Sequence, residues 1–83
     1  MRTPSYTTTV GENLLKYRAT LDEIDQINVA VRELAEGTKA GYPVPLQSPF
    51  LGPKKKLYQY QVGRFKLNYT LTRTELLVVS VLA

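Results

Sequence analysis

With 83 residues, 43% hydrophobic and 22% charged, the chain is sized for one soluble globular domain, 1–83, around one small core. It contains neither cysteine nor histidine, which excludes disulfide staples, thiolate or imidazole metal ligation and imidazole acid–base catalysis. A net charge of +4, from 11 Lys and Arg against 7 Asp and Glu, leans toward an acidic or polyanionic partner and serves solubility equally well.

The N-terminal "MRTPSYTTTV" has no apolar leader region and no run approaches membrane-spanning length, so the expected location is the cytoplasm, with no membrane partner. The β-branched and aromatic stretch from Ser5 to Val10 predicts a short strand, with Pro4 suiting a strand start or sheet edge. Thr9-Val10-Gly11-Glu12 and Thr20-Leu21-Asp22-Glu23 both fit the capping box, in which the Thr oxygen accepts the N3 amide and the Glu reaches back to the cap. Two boxes predict two helices, roughly Gly11–Ala19 and Leu21–Glu36.

The second helix is amphipathic. Leu21, Ile24, Ile27, Val31 and Leu34 recur at helical spacing, Asp22 and Glu23 complement the dipole in its first turn, and Gly37 is a natural stop. From Thr38 to Pro53, four prolines and two glycines predict an extended loop, with Tyr42, Leu46, Phe50 and Leu51 pinning parts of it to the core.

The remainder predicts a three-stranded antiparallel meander. Gly63-Arg64 fits a type II′ turn, which pairs Val62 with Phe65, Gln61 with Lys66, Tyr60 with Leu67 and Gln59 with Asn68. Tyr58, Tyr60, Val62, Phe65, Leu67, Tyr69 and Leu71 then share one face; Gln59, Gln61, Lys66, Asn68 and Thr70 share the other. A second turn near Arg73-Thr74 brings in Leu76–Leu82, apolar on both faces as an interior strand should be. The expected fold is α+β: a short N-terminal strand, a two-helix hairpin, and the meander with both helices on its aromatic face.

The second sheet face carries the one candidate constellation. Gln59, Gln61, Lys66 and Asn68 cluster there, with Lys54, Lys55, Lys56 and Arg64 at strand ends. Cations for a phosphodiester and amides for bases make this a candidate RNA- or partner-binding surface; a solvated polar face is the simpler alternative. The tyrosines of the meander belong to the core face, which favours packing over base stacking. No phosphate loop, dinucleotide fingerprint, zinc spacing or nucleophilic triad is present, and no cofactor is expected.

Element order and wording together resemble the RelE/ParE superfamily of toxins from type II toxin–antitoxin pairs, over nearly the whole chain. The run "LYQYQVGRFKLNYTLTRTELLVVSVLA" is similar to that family's C-terminal meander, Phe65-Lys66-Leu67-Asn68-Tyr69 to its aromatic-basic-apolar-x-Tyr strand, and Leu51-Gly52 to the "L-x-G" before it. The resemblance implies an antitoxin-like partner and a target of either ribosome-bound mRNA or DNA gyrase. In ribosome-dependent mRNA endonucleases of this type, basic residues on the open sheet face hold the RNA and stabilise the transition state; here that role falls on Lys66. The family's preceding lysines fall on Gln59 and Gln61, and its "GHR"-type tail is not found in the sequence, which ends at Ala83. Loss of one electrostatic donor lowers a rate by roughly 10²–10³. The resemblance therefore implies the fold more strongly than the nuclease. A non-catalytic protein-binding module on the same fold is the alternative: a gyrase binder, a degenerate toxin or a small accessory protein.

Overall fold

The computed structural model describes residues 1–44 and 56–83. In chain order these form β1 (Thr3–Tyr6), α1 (Thr8–Lys16), α2 (Leu21–Glu36), β2 (Tyr42–Pro43), β3 (Tyr58–Val62), β4 (Phe65–Leu71) and β5 (Glu75–Leu82). The class is α+β, with one five-stranded mixed sheet in the order β1-β5-β4-β3-β2. This corrects the expected strand count: β2 comes from within the predicted loop, and β1 lies parallel to β5 as a full member of the sheet. The expected anchors Leu46, Phe50 and Leu51 lie outside the described residues.

Local signals dominate in α2. Thr20 Oγ1 accepts the Glu23 amide at 3.1 Å, and Glu23 Oε1 accepts the Thr20 amide at 3.0 Å, so both arms of the capping box are made. Gly37 ends the helix at φ 84°, where a side chain would be strained, and Thr38 donates its amide to the Glu33 carbonyl. Ile27, Ala30, Val31, Leu34 and Ala35 form its buried face. Leu21 does not join them; at the first helical position it is 81% exposed.

The start of α1 departs from expectation. The strand ends at Tyr6 and the helix begins at Thr8, so the Thr9–Glu12 box is not made and Val10, expected in the strand, is a buried helical residue. The cause is distant in sequence. Thr7 donates its amide to the Val78 carbonyl at 3.1 Å and its hydroxyl to the Val79 carbonyl at 2.6 Å, fixing the chain's exit from the sheet there.

β4 is antiparallel to both neighbours. Its pairing with β3 joins Val62 to Phe65, Gln61 to Lys66, Tyr60 to Leu67 and Gln59 to Asn68, through a turn with Gly63 at φ 58°. Between Asn68 and Tyr69 the β4–β5 register shifts from Ser80 to Val78, leaving Val79 as a bulge. Phe65, Leu67, Tyr69, Leu76, Val78 and Val81 face the helices and close the core with Val10 and the α2 stripe. Tyr58, Tyr60, Val62 and Leu71 pack around its margin.

Both sheet edges carry proline. The amides of Thr3 and Thr7 bond to β5-side carbonyls, which sets the odd-numbered amides of β1 inward and leaves position 4 facing out. Pro4 offers no N–H there, and β2 is only Tyr42 and Pro43.

Candidate functional site

The sheet face opposite the helices is organised around one row of directly paired residues, Tyr42, Gln59, Asn68 and Ser80, contributed by β2, β3, β4 and β5. Their side chains are hydrogen-bonded in series. Tyr42 donates its hydroxyl to Gln59 Oε1 at 3.1 Å, Gln59 Nε2 donates to Asn68 Oδ1 at 3.1 Å, and Asn68 Nδ2 donates to Ser80 Oγ at 3.0 Å. The three bonds run in one direction, and such chains polarise one another. Asn68 is 7% exposed and its neighbour on this face, Thr70, is 6% exposed, so the middle of the row is fixed rather than solvated. No buried side-chain nitrogen or oxygen among the described residues lacks a partner. The row crosses three inter-strand spacings, or about 14 Å.

Lys66 lies two residues along β4 from Asn68, hence on the same face and about 7 Å away. It is exposed and pairs in register with Gln61 and Leu82. It is the one lysine or arginine within any strand among the described residues. Gln61 folds back, donating Nε2 to the Gly63 carbonyl at 3.1 Å. Tyr42 adds an aromatic ring that is 55% exposed.

Of the residues expected here, Gln59, Asn68, Lys66 and Gln61 share the face. Lys56 is exposed just ahead of β3, and Lys54 and Lys55 lie outside the described residues. Arg64 is engaged elsewhere. It donates Nε to Glu23 Oε2 at 2.7 Å, and Nη2 to Glu23 Oε1 at 3.1 Å and to the Tyr17 carbonyl at 2.9 Å; its guanidinium sits 4.6 Å above the Phe65 ring. The hydrogen bond from Arg64, with the Thr20 amide behind it, holds the Glu23 carboxyl down at about 2. Arg64 thus ties the β3–β4 turn to the start of α2.

Sequence reasoning missed Tyr42 and Ser80. Ser80 had a partial signal as the single polar residue in the run "LLVVSVLA"; strict alternation puts it on the core face with Leu76 and Val78, and the bulge at Val79 is what turns it to the other face. Tyr42 was assigned to the core, where Tyr69 sits instead. The Tyr69 hydroxyl accepts the Gly41 amide at 2.8 Å, and burial pushes its phenol up.

The chain's charge is divided along its sequence. Through Glu36 there are four basic and six acidic residues; beyond it there are seven basic residues and one acidic, Glu75. Among the described residues no group of three or more carboxylates, histidines or cysteines could hold a metal ion, and no helix is long and apolar enough to cross a membrane.

No family model matches the chain, no curated protein matches it significantly, and no solved structure matches its fold significantly.

Proposed function

We propose that this chain is a RelE/ParE-like protein of the toxin type, whose helix-free sheet face engages single-stranded RNA at the ribosome and cleaves it slowly or not at all. The observation that carries this reading is the fixed row Tyr42–Gln59–Asn68–Ser80 with Lys66 beside it. The half-buried Gln59 and exposed Gln61 amides, the exposed Tyr42 ring and Lys66 are groups that can meet base edges, a stacked base and phosphate respectively, with buried Asn68 holding the row in place. Slow chemistry follows from the same inventory. Among the described residues Lys66 is the one cation within a strand, and neutral amides do not offset a developing phosphorane charge as ammonium groups do.

The test is fluorescence anisotropy with short single-stranded and duplex RNA across a salt series, paired with primer extension on translated mRNA. Single-stranded RNA should bind preferentially, with a shallow log–log salt slope of about −0.7 per phosphate engaged. Lys66→Glu should weaken it, and few or no new ribosome-dependent ends should appear. RNA affinity indifferent to both salt and Lys66→Glu sinks the reading.

A second reading, a protein-binding module partnered by an acidic antitoxin-like chain, draws on the helical layer. Leu15 and Leu21 are 82% and 81% exposed there. Specific capture of one protein together with no RNA affinity favours this alternative.

A further inference from the structure

On the helical side, away from the polar row, a cleft of about 350 Å³ opens between α1 and α2. That volume is at the lower end of the range for small-molecule sites, about 300–1,000 Å³. It is lined by the core residues Val10 and Ile27, which expose little surface, and by half-buried Leu14 of α1 and Ile24 of α2.

Gly11 also lines the cleft, in the interior of α1. A helix-interior glycine is destabilising relative to alanine. Neither usual reason for one applies: Gly11 is not among the positive-φ glycines, and a Cβ built on it meets nothing within 4 Å. A side chain at position 11 would extend into the open space of the cleft.

The mouth is polar. Tyr6 donates its hydroxyl to Asn28 Oδ1 at 3.0 Å, which leaves the Asn28 Nδ2 protons for another acceptor. Burial pushes the Tyr6 phenol up and the Arg32 charge works against it; Arg32 lies one turn beyond Asn28 on α2 and is exposed with no ion pair among the described residues.

We propose that this cleft binds a small amphiphilic carboxylate, in class a medium-chain fatty acid. Its chain lies between Val10, Leu14, Ile24 and Ile27, and its head meets Asn28 and Arg32. Apolar walls set the tail, and the cationic, amide-bearing rim sets the head. Glu12 and Asp25 are the acids nearest in sequence to Gly11 and Asn28, so preference for a carboxylate over an alcohol is the measure of Arg32 prevailing. The site is independent of the RNA reading, and its occupancy can be measured whether or not RNA binds.

Calorimetry and amide NMR shifts with octanoate, decanoate, decanol and phosphatidylcholine vesicles test it. Decanoate should bind saturably below its micellar concentration, about tenfold tighter than octanoate for two further buried methylenes. Shifts should centre on Val10, Leu14, Ile24 and Ile27, sparing Gln59 and Ser80. Gly11→Leu should weaken binding at least about tenfold by filling the cleft, with Tm unchanged or raised. Gly11→Ala, the gentler variant, should fall between. Arg32→Gln should weaken decanoate roughly threefold and leave decanol unchanged. The proposal is overturned by absence of saturable binding, by full binding in folded Gly11→Leu or Gly11→Ala, by decanol binding more tightly than decanoate, or by association with vesicles alone.

Discussion

The side chain of Asn13, in the middle of α1, accepts the backbone N–H of Val81 at 3.0 Å across 68 residues of sequence. β1 ends at Tyr6, opposite Val78, so the last turns of β5 have no strand on that side. Thr7, bonded to Val79, and Asn13, bonded to Val81, stand in for the missing ladder. Asn13→Ala should therefore destabilise the protein by about 1–3 kcal/mol, the cost of a partly buried amide left without an acceptor. Asn13→Asp, which keeps an oxygen there, should lose less. Urea denaturation with an unchanged m value distinguishes loss of stability from a change in the denatured state.

Gly41 is held by close approach. A Cβ there would lie 2.6 Å from the Gln59 carbonyl oxygen and press on the Tyr69 hydroxyl, which receives the Gly41 amide. Gly41→Ala should cost about 1–3 kcal/mol as β2 is displaced from β3. Tyr69→Phe, which removes only the acceptor, should cost about 1 kcal/mol. Thermal unfolding of both variants checks the order.

The Glu23–Arg64 contact makes a pH prediction. The carboxyl is lowered from an ordinary 4.5 to about 2 in the folded protein, so it binds its proton more readily when unfolded. Its contribution is fully present above pH about 4.5 and is lost as pH falls toward about 2. Wild type should exceed Glu23→Gln in urea midpoint at pH 7, and the gap should narrow progressively below pH 4.5. A gap independent of pH, or one that widens in acid, contradicts the assignment. Added salt should shrink it as well, because both groups are partly exposed.

The polar row should behave as a unit. Asn68→Ala leaves Gln59 Nε2 without its acceptor and Ser80 Oγ without its donor, and should cost about 1–3 kcal/mol. Ser80→Ala should cost less, since it ends the row. A double-mutant cycle between the two should show a coupling of at least about 0.5 kcal/mol; strict additivity would mean the bonds act separately.

The parts of this structure that could be read from sequence are those specified by neighbours. Thr20, Glu23 and Gly37 define α2 within its own length, and its bounds are Leu21–Glu36 as read. The β3–β4 register follows from Gly63 and strict alternation. Thr7 could not be read this way, because the carbonyl it binds belongs to Val79, and no local pattern signals that contact. β2 is two residues long, too short for any periodicity, and its place depends on the buried hydroxyl of Tyr69. The candidate site divides likewise. Gln59, Lys66 and Asn68 were visible as alternation across one hairpin. Arg64 looked equally available, and only the three-dimensional proximity of Glu23 and Tyr17 shows its guanidinium to be occupied.

β5 follows β1 by some 70 residues, yet it lies between β1 and β4 and supplies the carbonyls and amide that hold Thr7 and Asn13. This has a kinetic consequence. The β3–β4 hairpin closes over a two-residue turn and can form early, whereas β1 must find a partner some 70 residues away. Such non-local pairing places folding toward the slower, millisecond-to-second end for small domains. Until β5 docks, the apolar stripe of α2 faces only half a sheet. The packing of β1 and α1 thus waits on a strand some 70 residues away.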